Sequence, residues 1–137
     1  MPLAPVVAIH LAAALAALLI GPFALWTRLA SRVHPRLHRA LGYSWFTCMV
    51  ASVLSAIFIR SRDLPNIAGY TPLHLLVPVT GWLLYRGLTA VMRGDIDVHR
   101  RTMQRVYIGA CLVAGSLTLL PQRYLGQLVW GQWLGWL

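Results

Sequence analysis

Four apolar segments dominate this sequence, and each is long enough to cross a membrane as a helix. They occupy roughly residues 3–27, 38–59, 70–92 and 99–120, and a membrane-spanning helix needs about 20 mainly apolar residues. The whole chain is 58% hydrophobic and 11% charged, whereas charged residues make up about 25% of a soluble domain. The sequence therefore predicts an integral membrane protein.

The positive charge is distributed as a topology signal. The net charge is +9, and all 12 basic residues are arginines. Most of them lie in the loops after the first and third segments, or in the helical turns that follow these loops. Basic residues concentrate in the cytoplasmic loops of membrane proteins. We therefore predict a bacterial inner membrane protein with both termini on the periplasmic side, and no nucleic-acid partner.

A two-helix unit occurs twice in the chain. The shared pattern is a histidine in an apolar run, a later His-Arg pair, and an arginine after the second apolar segment; its positions are His10, His38, Arg39 and Arg60 in one unit and His74, His99, Arg100 and Arg123 in the other. Repetition of this kind sets the architecture of a membrane protein. The predicted fold is all-α, a four-helix membrane bundle of two hairpins, roughly residues 3–62 and 67–123, within one domain, 1–137.

The tail, residues 124–137, is apolar but too short to span a membrane. It carries Trp130, Trp133 and Trp136 at intervals of three residues, which is typical of a helix lying in the membrane interface. The alternative is a docking surface for another membrane subunit.

The four repeat-related histidines form two layers. His10 and His74 lie near the outer surface, whereas His38 and His99 lie at the cytoplasmic ends of their segments. A helical rise of about 1.5 Å per residue separates the layers by roughly 20 Å. Heme iron takes imidazole as an axial ligand, and helix bundles often build such sites in their cores. The pattern predicts one or two b-type hemes, and the outer pair is favoured because it lies within the hydrocarbon.

Arginines near both layers are suited to hold heme propionates, because charge-assisted hydrogen bonds to carboxylates are strong. Arg60 and Arg123 are the outer candidates, and Arg39 and Arg100 are the inner ones. The structural alternative is that the histidines form hydrogen bonds between helices. Ionisable residues inside a membrane are nonetheless functional candidates by default.

Small residues follow His10 at helical spacing, namely Ala14, Ala17, Gly21 and Ala24. Small side chains permit close helix packing in membranes. They would also leave room for a flat cofactor. The stripe alone does not separate these interpretations.

A second metal hypothesis uses the cytoplasmic side. Its candidate ligands are His34, His38, Asp95, Asp97 and His99, a mixed nitrogen and oxygen set suited to zinc, iron or manganese. The simpler interpretation is that the aspartates cap the fourth segment and offset its arginines.

The chain resembles a family of small bacterial predicted membrane proteins grouped as a domain of unknown function. The resemblance covers roughly residues 5–126 and rests on six motifs: His10, His38-Arg39-Ala-Leu-Gly42, Phe58-Ile59-Arg60, His74-Leu75-Leu76, His99-Arg100-Arg101-Thr-Met103 and Arg123. It implies a four-helix membrane fold and no particular activity. The likeness to diheme membrane cytochromes b is weaker, since only the use of paired histidines is shared.

These features favour a heme-b-binding electron-transfer protein, working alone or as a subunit of a larger redox complex. Electrons would pass between a quinone or cytoplasmic donor and an acceptor outside. One alternative is a non-catalytic accessory subunit of a membrane complex. Another is a membrane enzyme that handles a metal or quinone at the cytoplasmic His/Asp cluster.

Overall fold

The computed structural model describes residues 4–29, 34–60, 65 and 67–136. Helix α1 is Pro5–Leu29 and α2 is Pro35–Phe58; a 3₁₀ turn, Pro72–Leu75, leads into α3, Leu76–Met92. Helix α4, Ile96–Val106, continues through a π-helical stretch, Tyr107–Val113, into α5, Ala114–Leu117. We call residues 96–117 the fourth segment. The tail contains α6, Tyr124–Gly126, and a second π-helical stretch, Gln127–Trp133.

Three helices are long and apolar enough to cross a membrane: Pro5–Thr27, Pro35–Phe58 and Pro72–Met92. The prediction of an all-helical membrane protein is confirmed, and no strand occurs in the described ranges. Each predicted segment agrees with a helical stretch to within three residues at either end. Residues 1–3, 30–33, 61–64, 66 and 137, and the side chains of Arg28 and Leu29, lie outside the description. Two of the loop arginines counted as topology signals, Arg32 and Arg62, are among these.

Local sequence explains where the helices begin. Pro35 occupies the first turn of α2, where its missing N–H would have had no helical partner. Pro78 lies in the first turn of α3, so it removes no hydrogen bond from that helix. Asp95 accepts a hydrogen bond from the Val98 amide at 3.3 Å and caps α4. Gly94 precedes it with a φ of +79°, which glycine adopts without a steric penalty.

The core is small because most apolar side chains face outward. Helix α1 packs against α2, and α3 packs against α4. The buried core residues come from all four long segments: Ala17, Trp45, Met49, Leu84, Val106 and Cys111. By contrast, Leu19 and Phe58 are 67% and 70% exposed. A surface of this kind suits lipid, in which helix association depends on close packing rather than on burial from water.

The tail folds back onto the end of the fourth segment. The indole of Trp130 donates a hydrogen bond to the Leu119 carbonyl at 2.7 Å, and its ring stacks on Trp136 at a centroid distance of 5.6 Å. Trp133 and Trp136 are 74% and 72% exposed. The predicted interfacial position of this tail stays a prediction.

Gly126 permits this return of the chain. A Cβ atom there would overlap the Leu120 backbone carbonyl, whereas a Cβ on Gly131 would meet nothing within 4 Å. Gly126→Ala should therefore lower the stability of the purified protein by about 1–3 kcal/mol, the usual cost of overpacking. Thermal unfolding in detergent measures this effect, with Gly131→Ala as the matched control. Equal melting temperatures for the two variants would contradict the close contact.

Candidate functional site

The inner histidines make the same hydrogen bond in both hairpins. His38, on α2, lies 2.9 Å from the Ala24 carbonyl of α1 through Nδ1. His99, on α4, lies 2.8 Å from the Gly87 carbonyl of α3 through Nδ1. A carbonyl only accepts, so Nδ1 carries the proton in each ring. Each histidine thus joins the start of the second helix in its hairpin to the first helix.

This bond leaves Nε2 of both rings with a lone pair. Neither Nε2 has a hydrogen-bond partner within the described part of the chain, and both residues are half-buried. Histidines that bind metals almost always donate their other ring N–H to a carbonyl, a carboxylate or water, which fixes the tautomer and the ring orientation. His38 and His99 therefore have the tautomer that an axial ligand needs.

Both histidines line one cavity of about 610 Å³ between the four long segments. Ligand cavities in proteins typically measure about 300–1,000 Å³. Its other lining residues are Gly21, Ala24, Leu25, Pro35, Arg39, Gly42, Tyr43, Trp45, Phe46, Leu88, Val91, Met92, Ile96, Arg100, Met103 and Tyr107. The lining is mainly apolar and aromatic, and the two histidines enter it from different helices.

Small residues of α1 form part of the cavity wall. Gly21 and Ala24 form part of its wall, and a Cβ on Gly21 would overlap the ring of Tyr107. The Tyr107 hydroxyl donates to the Leu18 carbonyl at 3.1 Å, which holds that ring in place. Farther out on the same stripe, Ala17 is fully buried. The stripe thus serves close packing at Ala17 and contributes to the cavity wall nearer the inner histidines.

Two arginines complete the lining. Arg39 and Arg100 each follow an inner histidine directly, and both are exposed. Neither forms an ion pair with any residue that the structure describes. Guanidinium groups beside a cavity are suited to carboxylates or phosphates of a bound molecule.

Trp45 is a further cavity residue, and it was not among the candidates predicted from the sequence. Its side chain is 6% exposed and lines the cavity, and its indole N–H finds no acceptor among the described residues. Most buried polar groups are hydrogen-bonded, so an orphaned donor calls for an explanation. The available signal was its position seven residues after His38, which places both on one helical face.

The outer histidines behave differently from each other. His10 donates from Nδ1 toward α2, with the Ser52 carbonyl at 3.0 Å and the Ser55 hydroxyl at 3.1 Å. His74 uses both ring nitrogens, because Nδ1 accepts from the Thr71 amide at 3.1 Å and Nε2 donates to the Ile59 carbonyl at 2.8 Å. To bind iron, His74 would have to give up one of these bonds.

The two outer arginines are placed in different ways. Arg60 donates to the Ala68 carbonyl at 2.8 Å, and its guanidinium lies 4.1 Å from the centre of the Tyr70 ring. It is therefore engaged by the loop that precedes α3. Arg123 lies immediately before α6, and its guanidinium makes no hydrogen bond or ion pair within the described ranges.

The cytoplasmic His/Asp set does not assemble as a metal cluster in the described structure. Across the described residues there is no group of three or more His, Cys, Asp or Glu side chains placed to hold a metal ion. Asp95 is engaged as the cap of α4. Cys48 and Cys111 are free thiols, and Cys111 donates to the Met49 sulfur at 3.7 Å.

Comparison with known proteins identifies one family. A family model described as "Predicted membrane protein (DUF2306)" matches residues 7–126. No match is found among curated proteins or among solved structures.

Proposed function

We propose that this chain, which belongs to the predicted membrane protein family DUF2306, binds heme b in the cavity lined by His38 and His99 and transfers electrons. The family description carries no activity, so the proposal rests on the side chains of this protein. The single observation that carries the proposal is that His38 and His99 line the same cavity and make equivalent hydrogen bonds through Nδ1. Two imidazoles from two helices line one mainly apolar cavity, and each donates a hydrogen bond from its Nδ1–H to a backbone carbonyl.

The residues fit this group in charge and chemistry. Nε2 of His38 and Nε2 of His99 would bind the iron, since neutral imidazole binds heme iron through a nitrogen lone pair. Aromatic and aliphatic side chains form most of the cavity wall and suit the apolar faces of a porphyrin. Arg39 and Arg100 would hold the two propionates at the polar edge. When bound, heme supplies a centre that accepts and releases one electron at a time.

The protein controls that chemistry through the second bond of each histidine. The Ala24 and Gly87 carbonyls fix the ring orientations and make Nε2 a better electron donor. The cationic arginines stabilise negative charge in the site. Occupation of the outer layer by a second heme, with His10, His74, Arg60 and Arg123, stays a separate prediction that the heme stoichiometry tests.

The proposal includes a membrane arrangement. The fourth segment would complete a four-helix bundle of two repeated hairpins in a bacterial inner membrane, with both termini in the periplasm. The recurring histidine-to-carbonyl bond supports the repeat. Arginines are concentrated at the helix ends that lie near His38 and His99. This concentration supports a cytoplasmic position for that side of the protein.

The axial ligands can be tested by single substitutions. His38→Ala and His99→Ala should each remove most of the bound heme, because each deletes one of two ligands. Heme content per chain is measured by a pyridine hemochrome assay after expression with adequate heme supply. His34→Ala is the matched control, since His34 is exposed on the same side.

Two readouts separate a ligand from a merely structural histidine. Residual heme in the His38→Ala protein should be high-spin, and added imidazole should restore the low-spin spectrum. Wild-type heme content in monodisperse His38→Ala and His99→Ala proteins would refute the assignment. A loss confined to His10→Ala and His74→Ala would move the heme to the outer layer.

A quinone is the second candidate occupant, and the orphaned N–H of Trp45 favours it. This donor lies two helical turns after His38 on α2, farther from the end of the helix that carries His38. A quinone carbonyl near Trp45 would accept a hydrogen bond from its indole N–H. The carboxylates of heme b lie at one edge of the molecule, where Arg39 and Arg100 would bind them, so heme would leave the Trp45 N–H without an acceptor.

Trp45→Phe tests the quinone directly. In protein purified without heme, the substitution should weaken binding of a short-chain ubiquinone analogue about threefold to tenfold, the effect of losing a hydrogen bond of about 1 kcal/mol. Trp82→Phe is the control, because Trp82 is 62% exposed. Titration calorimetry in detergent gives both affinities. Equal affinities in the two variants would exclude Trp45 as a quinone ligand.

A further inference from the structure

An outward-facing stripe on the fourth segment combines basic and apolar residues. Arg101, Arg105, Ile108 and Leu112 follow one another at intervals of four, three and four residues. All four are exposed, Ile108 by 54% and Leu112 by 46%. Buried residues of the same segment, including Thr102, Val106 and Cys111, form its packed side. We call these four residues the basic-apolar stripe.

The arginines of this stripe lack partners. Neither forms an ion pair with any residue in the described ranges, although Asp97 precedes Arg101 by one helical turn. Arg105 lies nine residues after Ile96, roughly 13 Å along the helix. In the proposed bundle this depth reaches into the membrane, where charged side chains are costly unless they are paired. An anionic partner is therefore expected at this face.

The order of the stripe identifies the partner. We propose that it binds an anionic phospholipid, with the phosphate on Arg101 and Arg105 and an acyl chain along Ile108 and Leu112. Guanidinium groups bind phosphate through paired, charge-assisted hydrogen bonds, and basic segments at the cytoplasmic membrane surface attract anionic lipids. This inference rests on the membrane position of the fourth segment in the proposed function.

A second copy of the chain fits this face less well. The chain has three acidic residues against 12 arginines. Two of the acids, Asp95 and Asp97, lie at the start of α4, away from the depth of Arg105. Two such faces would therefore repel each other. A partner subunit with a carboxylate in its membrane helix is the remaining competitor, and the experiment distinguishes it from lipid.

The test measures lipid retained by the protein. Full-length protein is delipidated in mild detergent and then equilibrated with vesicles of phosphatidylcholine containing one-fifth phosphatidylglycerol. After re-extraction, native mass spectrometry should show phosphatidylglycerol as at least half of the retained lipid, more than twice its one-fifth share of the vesicle lipid. The double variant Arg101→Gln/Arg105→Gln should lose this enrichment. Arg36→Gln/Arg93→Gln, which removes two exposed arginines elsewhere, should keep it.

Three outcomes would overturn the proposal. The first is retention of the two lipids in the proportion in which the vesicles contain them. The second is an equal loss of phosphatidylglycerol enrichment in both double variants. The third is co-purification of a stoichiometric subunit whose retention depends on Arg101 and Arg105. Heme absorbance reads out the proposed function separately. The membrane position is checked with Ile108→Cys in protein whose Cys48 and Cys111 are replaced by Ala. Labelling by a membrane-impermeant maleimide would refute the span itself, whereas protection without lipid enrichment would refute only the lipid site.

Discussion

The hydrogen bond from a histidine ring to a backbone carbonyl of a neighbouring helix is the interaction on which the inner half of this protein depends. A membrane interior offers no water to buried polar groups, so each must find a partner inside the protein. His38 and His99 each meet this requirement at Nδ1, and Nε2 stays without a hydrogen-bond partner among the described residues. Interhelical bonds in membranes average only about 0.6 kcal/mol. The value of these two bonds therefore lies in fixing ring orientation more than in stability.

The two proposed repeats resemble each other more closely around the inner histidines than around the outer ones. The inner histidines make equivalent bonds within their own hairpins, to Ala24 and Gly87. In the outer layer, His10 bonds to Ser52 of α2 and His74 bonds to Ile59, the residue that follows α2, and they use different ring nitrogens. Similar spacing in sequence therefore gives equivalent hydrogen bonds for the inner histidines and different ones for the outer histidines.

Much of the fold was predictable because the membrane imposes simple rules on composition and length. Segment ends were right to within three residues, since apolar runs and prolines mark them. The relative merit of the two histidine layers was not predictable. It depends on which nitrogen of His74 meets Thr71 and Ile59, and on a cavity formed by side chains from four segments. Trp45 was overlooked because its unpaired N–H becomes apparent only when all its neighbours are in place.

In the proposed function, His38 and His99 are the two protein ligands of one redox cofactor. The most direct measurement is the visible spectrum of the detergent-purified wild-type protein, oxidised and then reduced with dithionite, together with its heme content per chain. The account predicts sharp reduced-state bands of a low-spin b-type heme at one heme per chain. Absence of heme after expression with adequate heme supply would contradict it, and co-purification of a stoichiometric membrane subunit would then favour an accessory role.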